Sequence, residues 1–237
     1  MATYVYAITH ADHPLRLQEL EGIGKPPLPL RTVTTQGLAA VVSEAPPGLR
    51  AKRRDVLAHQ AVIERLMRDG ATLPMRFGLV GTDDEQVAAA LEQQRDAYGE
   101  RLTELSGHVE FNLKVIRDED DLLREIMTDS GEIRRLSERS RGPSARHDER
   151  VALGEMVARE VAARQEREAT ELVGRLGASA TRTALGEPTG DHFLNASFLI
   201  EDAAAAAFSR AVQEEAGRRG DAYTLTLTGP LPPYSFV

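Results

Sequence analysis

The sequence predicts an α+β protein of two domains, and three observations support this prediction. The first half has the order strand, hairpin, helix, strand, which is typical of a small α+β unit. The second half alternates half-buried strand patterns with helical ones, as a ferredoxin-like domain does. With 237 residues, 41% of them hydrophobic, the chain can build two ordinary cores. We predict an N-terminal α+β domain over residues 1–106 and a C-terminal ferredoxin-like domain with a long helical insertion over 107–237.

The N-terminal domain opens with a strand and a hairpin. Residues Thr3 to Ile8 alternate large apolar side chains with smaller ones, which indicates a strand. Two β-prone runs follow, Arg31 to Thr35 and Leu38 to Ser43. Gly37 lies between them and can adopt the positive φ that a tight turn needs. A β-hairpin is therefore expected.

A helix and an interrupted strand come next. Apolar side chains recur at helical spacing from Lys52 to Arg68, and Gly70 closes the pattern. The chain then becomes strand-like from Ala71 to Phe77, with Pro74 in its middle. Proline cannot donate to a β-ladder, so this strand is expected at a sheet edge or a bulge.

One long helix is predicted to end the first domain. Thr82 and Glu85 have the spacing of a capping box, in which each end residue satisfies a free backbone amide of the first turn. An apolar face extends from Val87 to Leu105, and Gly107 follows as a stop. We interpret this helix as the bridge between the two domains.

The second domain has three strands of alternating polarity. Val109, Phe111, Leu113 and Val115 share one face of the first, while Glu110, Asn112 and Lys114 share the other. The same alternation occurs from Leu194 to Ile200 and from Tyr223 to Leu227. The predicted helices between them are Glu119 to Met127, a charged stretch from Glu132 to Leu176 broken near Gly142 and Pro143, and Asp202 to Arg218.

Composition and charge exclude several functional classes. The absence of cysteine excludes disulfides, thiolate nucleophiles and zinc sites built on sulfur. The formal net charge is −8 and the basic residues are interleaved with acidic ones, so nucleic acid is not an expected partner. No apolar run is long enough to cross a membrane, and the first residues do not resemble an export signal. A cytoplasmic protein is expected.

The histidines offer little chemistry. His10 and His13 are close in sequence but lack a third ligand, so we expect solvated loop residues and no metal site. His59 shares a helix face with Ile63, which favours a packed, hydrogen-bonded histidine over one that transfers protons. The common catalytic motifs are also missing. We therefore expect a binding protein without a cofactor, rather than an enzyme.

Two segments are unusual. The first is Leu73-Pro74-Met75-Arg76-Phe77-Gly78, and the second is the C-terminal run 228–237, which contains three prolines followed by Tyr234 and Phe236. A proline-stiffened segment loses little backbone entropy on docking, and each aromatic side chain gains roughly 1.5–3 kcal/mol by burial. The tail is therefore expected in a groove, either on this chain, which is favoured, or on a partner.

The whole chain resembles the gas vesicle accessory family GvpF/GvpL. The resemblance rests on these two segments together with Tyr4-Val5-Tyr6, the run from Gly37 to Val42, and Glu110 with Lys114 and Val115. Leu231 departs from the family pattern, which usually carries Trp at that position, and this weakens the case for an aromatic side chain there in docking. The resemblance implies a two-domain protein that associates with the small hydrophobic shell protein GvpA and with other accessory proteins during gas vesicle assembly.

These implications define the candidate site and its alternatives. We expect Pro74, Arg76 and Phe77 to contact the partner, and Tyr234 and Phe236 to hold the two domains together. The protein would cover apolar shell-protein surface in a chaperone-like way, in the cytoplasm or on the gas vesicle. One alternative is a minor structural component of the finished vesicle. Another is a ligand-binding or enzymatic ferredoxin-like domain with His59 or Arg76 at its site. Self-association is left open.

Overall fold

The computed structural model describes residues 1–140 and 147–237. Contacts divide these residues into two compact units, which we call unit 1 (1–110 with 230–237) and unit 2 (111–229). The division predicted from the sequence lies at 106/107 and keeps 230–237 with the second domain. In the structure, residues 230–237 join unit 1 instead.

Unit 1 is built on a five-stranded sheet with strand order β2-β3-β1-β4, in which β5 also pairs with β1. The strands are β1 Thr3–His10, β2 Arg31–Thr34, β3 Leu38–Glu44, β4 Thr72–Pro74 and β5 Val80–Gly81. The predicted β2–β3 hairpin is confirmed, and Gly37 has φ +90° at its turn. Strand β4 lies at the end of the strand order, so the edge position inferred from Pro74 is also confirmed.

Strand β1 contains a β-bulge, which changes the face of the sheet to which its later side chains point. The register of β1 against β3 shifts between Val5 and Ala7, which adds one residue to β1. Tyr4, Tyr6 and Ala7 consequently share one core cluster. Because side chains in a regular strand alternate between faces, Tyr6 and Ala7 could not otherwise lie on the same side.

Helix α1, Arg53–Asp69, covers the face of the sheet on which Tyr4 and Tyr6 lie. Its buried side chains include Val62, Ile63 and Leu66, which join the cluster of Tyr4 and Tyr6. The helix ends at Gly70, whose N–H donates to the Leu66 carbonyl. The helix predicted from Lys52 to Arg68 is thus confirmed to within one residue at each end.

The single long helix predicted after Thr82 is wrong, because the structure has two helices there. They are α2, Asp84–Gln93, and α3, Arg95–Leu105, and both belong to unit 1. Gln94 separates them with φ −106° and ψ 16°, outside the helical range. Helix α2 packs against β2 and β3, while α3 packs against β1 and β4.

The capping box lies one residue later than predicted. Asp83, not Thr82, is the N-cap, and its carboxylate accepts the Gln86 N–H at 2.8 Å. The Gln86 side-chain oxygen accepts the Thr82 N–H at 2.6 Å. Asp is a better N-cap than Thr, which explains why the helix begins at the carboxylate.

Unit 2 has a four-stranded sheet in the order β7-β8-β6-β9. Its strands are β6 His108–Arg117, β7 Arg182–Leu185, β8 His192–Glu201 and β9 Tyr223–Leu231. Its helices are α4 Glu119–Asp129, α5 Gly131–Ser140, α6 His147–Gly177 and α7 Ala205–Arg219. The sequence did not predict β7. This strand completes the βαββαβ order of a ferredoxin-like unit, with α4 to α6 as the first crossover.

The helix predicted from Glu119 to Met127 is present as α4, and the predicted helical insertion is present as α5 and α6. Leu122, Ile126 and Ile133 form a small core there, against which Leu153 and Val157 of α6 pack. The predicted break near Gly142 and Pro143 lies outside the described residues. Among the helices described, none combines the length and the apolar character needed to cross a bilayer.

Candidate partner-binding surface

The segment after β4 forms a tight turn that links two edge strands. Strand β4 ends at Pro74 and β5 begins at Val80. Between them the Leu79 N–H donates to the Arg76 carbonyl at 3.3 Å, and Gly78 has φ +96°. A four-residue turn with a positive φ at its third position favours glycine, which is the residue found there. We call residues 76–79 the edge turn.

A buried histidine holds the edge turn onto α1. His59 Nε2 lies 3.0 Å from the Met75 carbonyl, and Nδ1 lies 2.9 Å from the Tyr4 hydroxyl. A carbonyl only accepts, so Nε2 carries the proton, and Nδ1 of the neutral ring accepts from Tyr4. The Tyr4 hydroxyl in turn accepts the Gly78 N–H at 3.3 Å. His59 thus holds Met75, the residue before the edge turn, directly and holds Gly78 of the turn through Tyr4.

Aromatic packing adds a second anchor to the same turn. The Phe77 ring lies 5.8 Å from the Tyr4 ring and 5.6 Å from the His59 ring, both at edge-to-face angles. His59 also stacks on Tyr6, with ring centroids 5.5 Å apart. Such pairs add stability beyond the area they bury. Phe77 is therefore a structural anchor.

Burial shifts the pKa values of His59 and Tyr4 in the directions that favour their neutral forms. Loss of solvent lowers the pKa of His59, against the opposing hydrogen bond with the Met75 carbonyl. Burial likewise raises the pKa of Tyr4 far above its ordinary value. Both side chains are therefore neutral around pH 7, as the hydrogen-bond directions require. The cluster has the character of a packed core, which agrees with the structural interpretation of His59.

The structure separates the three residues predicted to contact a partner. Pro74 is buried and pairs with Ala7 in the sheet, and Phe77 is half-buried in the aromatic cluster. Only Arg76 is exposed, and its guanidinium forms no ion pair or hydrogen bond with the described residues. Arg76 is thus the one member of the predicted set that is open to a partner.

Two exposed apolar residues adjoin Arg76 and were missed by the sequence analysis. Leu79 and Val80 are 46% and 42% exposed, where the edge turn leads into β5. The available signal was the run Gly78-Leu79-Val80-Gly81, in which two large apolar side chains are flanked by glycines. We call Arg76, Leu79 and Val80 the edge surface.

An apolar cleft of about 240 Å³ adjoins the edge surface in unit 1. Leu79 and Val80 contribute to its lining, so the edge surface and the cleft are continuous. The sheet contributes Val5 and Ile8, and the helices contribute Val87, Leu91 and Tyr98. The β1 bulge determines this wall, because it leaves Val5 and Ile8 on the side away from Tyr4 and Tyr6.

The C-terminal tail is bound within unit 1. Phe236 is 3% exposed, and Tyr234 packs against the cluster of Tyr4 and Tyr6. Ser235 donates its N–H and its hydroxyl to the two carboxylate oxygens of Glu110, at 2.8 and 2.7 Å. Burial, with smaller contributions from Glu64 and Glu110, raises the pKa of Tyr234 to about 12. The interdomain role of Tyr234 and Phe236 stays a prediction.

His13 is placed differently from what the sequence suggested. His13 was expected to be a solvated loop residue, but it is 9% exposed, and its Nε2 lies 3.0 Å from the Leu66 carbonyl. It therefore helps to close the end of α1. Residues 1–140 and 147–237 contain no group of three or more His, Asp and Glu side chains that could hold a metal ion.

Comparison with known proteins identifies the family. A family model described as gas vesicle synthesis protein GvpL/GvpF matches residues 2–237. The chain is 41% identical to gas vesicle protein F of Streptomyces sp. (strain CB03234), with full coverage of both chains. It is 30% identical to gas vesicle protein L of the same organism, covering 99% of this chain and 92% of that one.

A solved structure supports the fold. The crystal structure of gas vesicle protein GvpF from Anabaena sp. PCC7120 superposes with a TM-score of 0.84, at 24% identity, over 99% of this chain and 97% of that one. At this identity the likeness shows the fold alone. The whole-length family match and the 41% identical relative together show that this chain belongs to the GvpL/GvpF family of gas vesicle synthesis proteins.

Proposed function

We propose that this chain supports gas vesicle assembly by binding the small hydrophobic shell protein GvpA and other accessory proteins. Family membership supports a role in gas vesicles. The observation that carries the binding role is the edge surface, where Leu79 and Val80 are exposed beside an apolar cleft. The proposed activity is binding rather than catalysis, in the cytoplasm and on the growing vesicle.

The physical basis is the cost of exposing apolar surface to water. A shell subunit that builds a hydrophobic wall presents such surface before it is incorporated, and uncovered surface of this kind aggregates. Burial of one Leu or Val side chain is worth roughly 1.5–3 kcal/mol. Leu79 and Val80 are each a little under half exposed, so docking gains only about half of this value from each. This suits the weak, reversible capture of a partner that must be handed on.

The first test is co-expression of the shell protein with this chain. We expect more shell protein in the soluble fraction, and we expect it to co-purify with the tagged chain. The double change Leu79→Glu with Val80→Glu should abolish both effects. Leu57→Glu is the matched control, because Leu57 is 53% exposed but lies on α1. Shell protein that neither stays soluble nor co-purifies with the unaltered chain would refute the proposal.

The second test uses a vesicle-forming host. Deletion of the gene should reduce the fraction of floating cells, and the unaltered gene should restore it. Washed, intact vesicles can then be probed for this chain by immunoblot. A transient assembly factor should be absent from them, whereas the alternative, a minor structural component, should remain at a constant ratio to the shell protein.

A further inference from the structure

The size of the apolar cleft indicates what it can receive. Its volume is about 240 Å³, whereas pockets for metabolites and cofactors usually span about 300–1,000 Å³. An apolar cavity of about 150 Å³ already accepts a molecule of the size of benzene. The cleft therefore matches one or two apolar side chains, presented by a larger molecule that stays outside.

The lining includes a tyrosine hydroxyl that can recognise a bound segment. The Tyr98 hydroxyl makes no hydrogen bond with the described residues, although Tyr98 lines the cleft. Tyrosine hydroxyls at binding surfaces commonly pair with a partner group while the ring contributes apolar contact. The side-chain oxygen of Gln86, by contrast, is already used by the Thr82 N–H. The Tyr98 hydroxyl can thus donate a hydrogen bond to a backbone carbonyl of the bound segment.

The positive charge of Arg76, next to the cleft, provides a second means of recognising the partner. Arg76 begins the edge turn that Leu79 ends, and its exposed guanidinium has no partner among residues 1–140 and 147–237. A guanidinium binds a carboxylate through two parallel hydrogen bonds, which adds specificity as well as attraction. The edge surface is therefore apolar at Leu79 and Val80 and cationic at Arg76.

We infer that the cleft and the edge surface together bind an acidic-apolar segment of the partner protein. One or two apolar side chains of that segment enter the cleft between β1 and α2, a backbone carbonyl accepts from Tyr98, and a carboxylate pairs with Arg76. This inference rests on the proposed function, because the segment belongs to the shell protein. It goes further in naming the chemistry and the residues that select it.

Two neighbouring alanines of helix α2 allow a matched pair of variants, one of which fills the cleft while the other leaves it open. Ala90 is exposed and contributes to the cleft lining, whereas the neighbouring Ala89 is exposed and does not. Ala90→Phe should place a ring of this chain in the cleft and weaken binding of shell protein at least tenfold, as measured by biolayer interferometry. Ala89→Phe carries the same loss of helix propensity and should bind as the unaltered chain does. Equal binding by the two variants would overturn the inference.

A charge exchange tests the carboxylate. Arg76→Glu should weaken binding at least tenfold, and one acidic residue of the shell protein, changed to Arg, should restore it. Each shell-protein carboxylate is exchanged in turn, and a set without any rescue contradicts the pairing. If the unaltered chain binds shell protein but neither Ala90→Phe nor Arg76→Glu matters, the proposed function stands and this inference fails. If the unaltered chain does not bind shell protein, both fail.

Discussion

Ser235 and Glu110 are joined by two hydrogen bonds, because the backbone N–H and the hydroxyl of Ser235 each donate to one oxygen of the same carboxylate. Glu110 is 4% exposed, so this carboxylate is bound in place rather than solvated. Hydrogen bonds to an ionised acceptor are about twice as strong as neutral ones. Glu110 thus holds the tail beside the aromatic cluster that Tyr234 contacts.

Replacement of Glu110 should loosen the tail. Glu110→Ala leaves the Ser235 donors without their acceptor and should lower the free energy of unfolding by about 1–3 kcal/mol. Carboxypeptidase should also remove the last residues faster, because they spend more time undocked. Glu92→Ala, at an exposed position of α2, is the control and should change neither readout. Unaltered stability and digestion in Glu110→Ala would show that contacts other than the Glu110 carboxylate hold the tail.

Acid should destabilise unit 1 through His59. Burial lowers the pKa of His59 in the folded state below its ordinary value near 6.5, so the unfolded chain binds the proton more readily. The stabilising contribution of neutral His59 is therefore complete above about pH 6.5 and is lost as the pH falls through the folded-state pKa. Urea titrations between pH 7.5 and 5 should show this loss in the unaltered chain.

His59→Gln is the comparison for that titration. Glutamine has both a donor and an acceptor but does not titrate, so this variant should start less stable and lose less stability on acidification. His108→Gln is the control, because His108 is only half-buried. An equal pH dependence in the unaltered chain and in His59→Gln would contradict the assignment.

Substitutions at Phe77 and Arg76 should distinguish a loss of stability from a loss of binding. Phe77→Ala removes a ring from the Tyr4 and His59 cluster and should cost about 2 kcal/mol, less than a fully buried Phe because Phe77 is half-buried. Arg76→Ala changes an exposed side chain and should stay within about 0.5 kcal/mol. Thermal unfolding measures both. A large loss of stability in Arg76→Ala would indicate an intramolecular role for its guanidinium.

In unit 2, stability should be sensitive to replacement of the buried Arg117. Its side chain is 3% exposed, pairs with Glu125 and Glu168, and lies over the Tyr223 ring at 5.1 Å. Arg117→Met leaves the Glu168 carboxylate without its counter-ion and should cost about 3–5 kcal/mol. Arg124→Met is the control, because the Arg124 side chain is 73% exposed in its ion pair with Asp121. Similar urea midpoints for the two variants would contradict the importance of this network.

The sequence was sufficient where one local pattern determines the structure. Gly37 marks the β2–β3 hairpin because its turn needs a positive φ, and Pro74 marks an edge strand because it lacks an N–H. The break at Gln94 was missed because neither glycine nor proline signals it. Strand β7 was missed because Arg182 and Thr183 are exposed and show no apolar alternation.

The candidate site was harder to predict, because burial depends on what packs from elsewhere. Glu110 lies on the polar side of an alternating strand, yet it is buried because the distant residue Ser235 binds it. Phe77 was expected to face a partner, but the ring is half-buried against Tyr4 and His59. Exposure of Leu79 and Val80 follows from the edge turn, whose geometry a sequence pattern does not specify.

The division of unit 1 between residues 1–110 and 230–237 has a consequence during synthesis. The ribosome must translate all of residues 111–229 before the last part of unit 1 exists, whereas unit 2 is continuous and can fold as it emerges. Until then, the aromatic cluster of Tyr4 and Tyr6 lacks Tyr234, and the Glu110 carboxylate lacks its two donors. Unit 1 is therefore completed only after unit 2 has been synthesised.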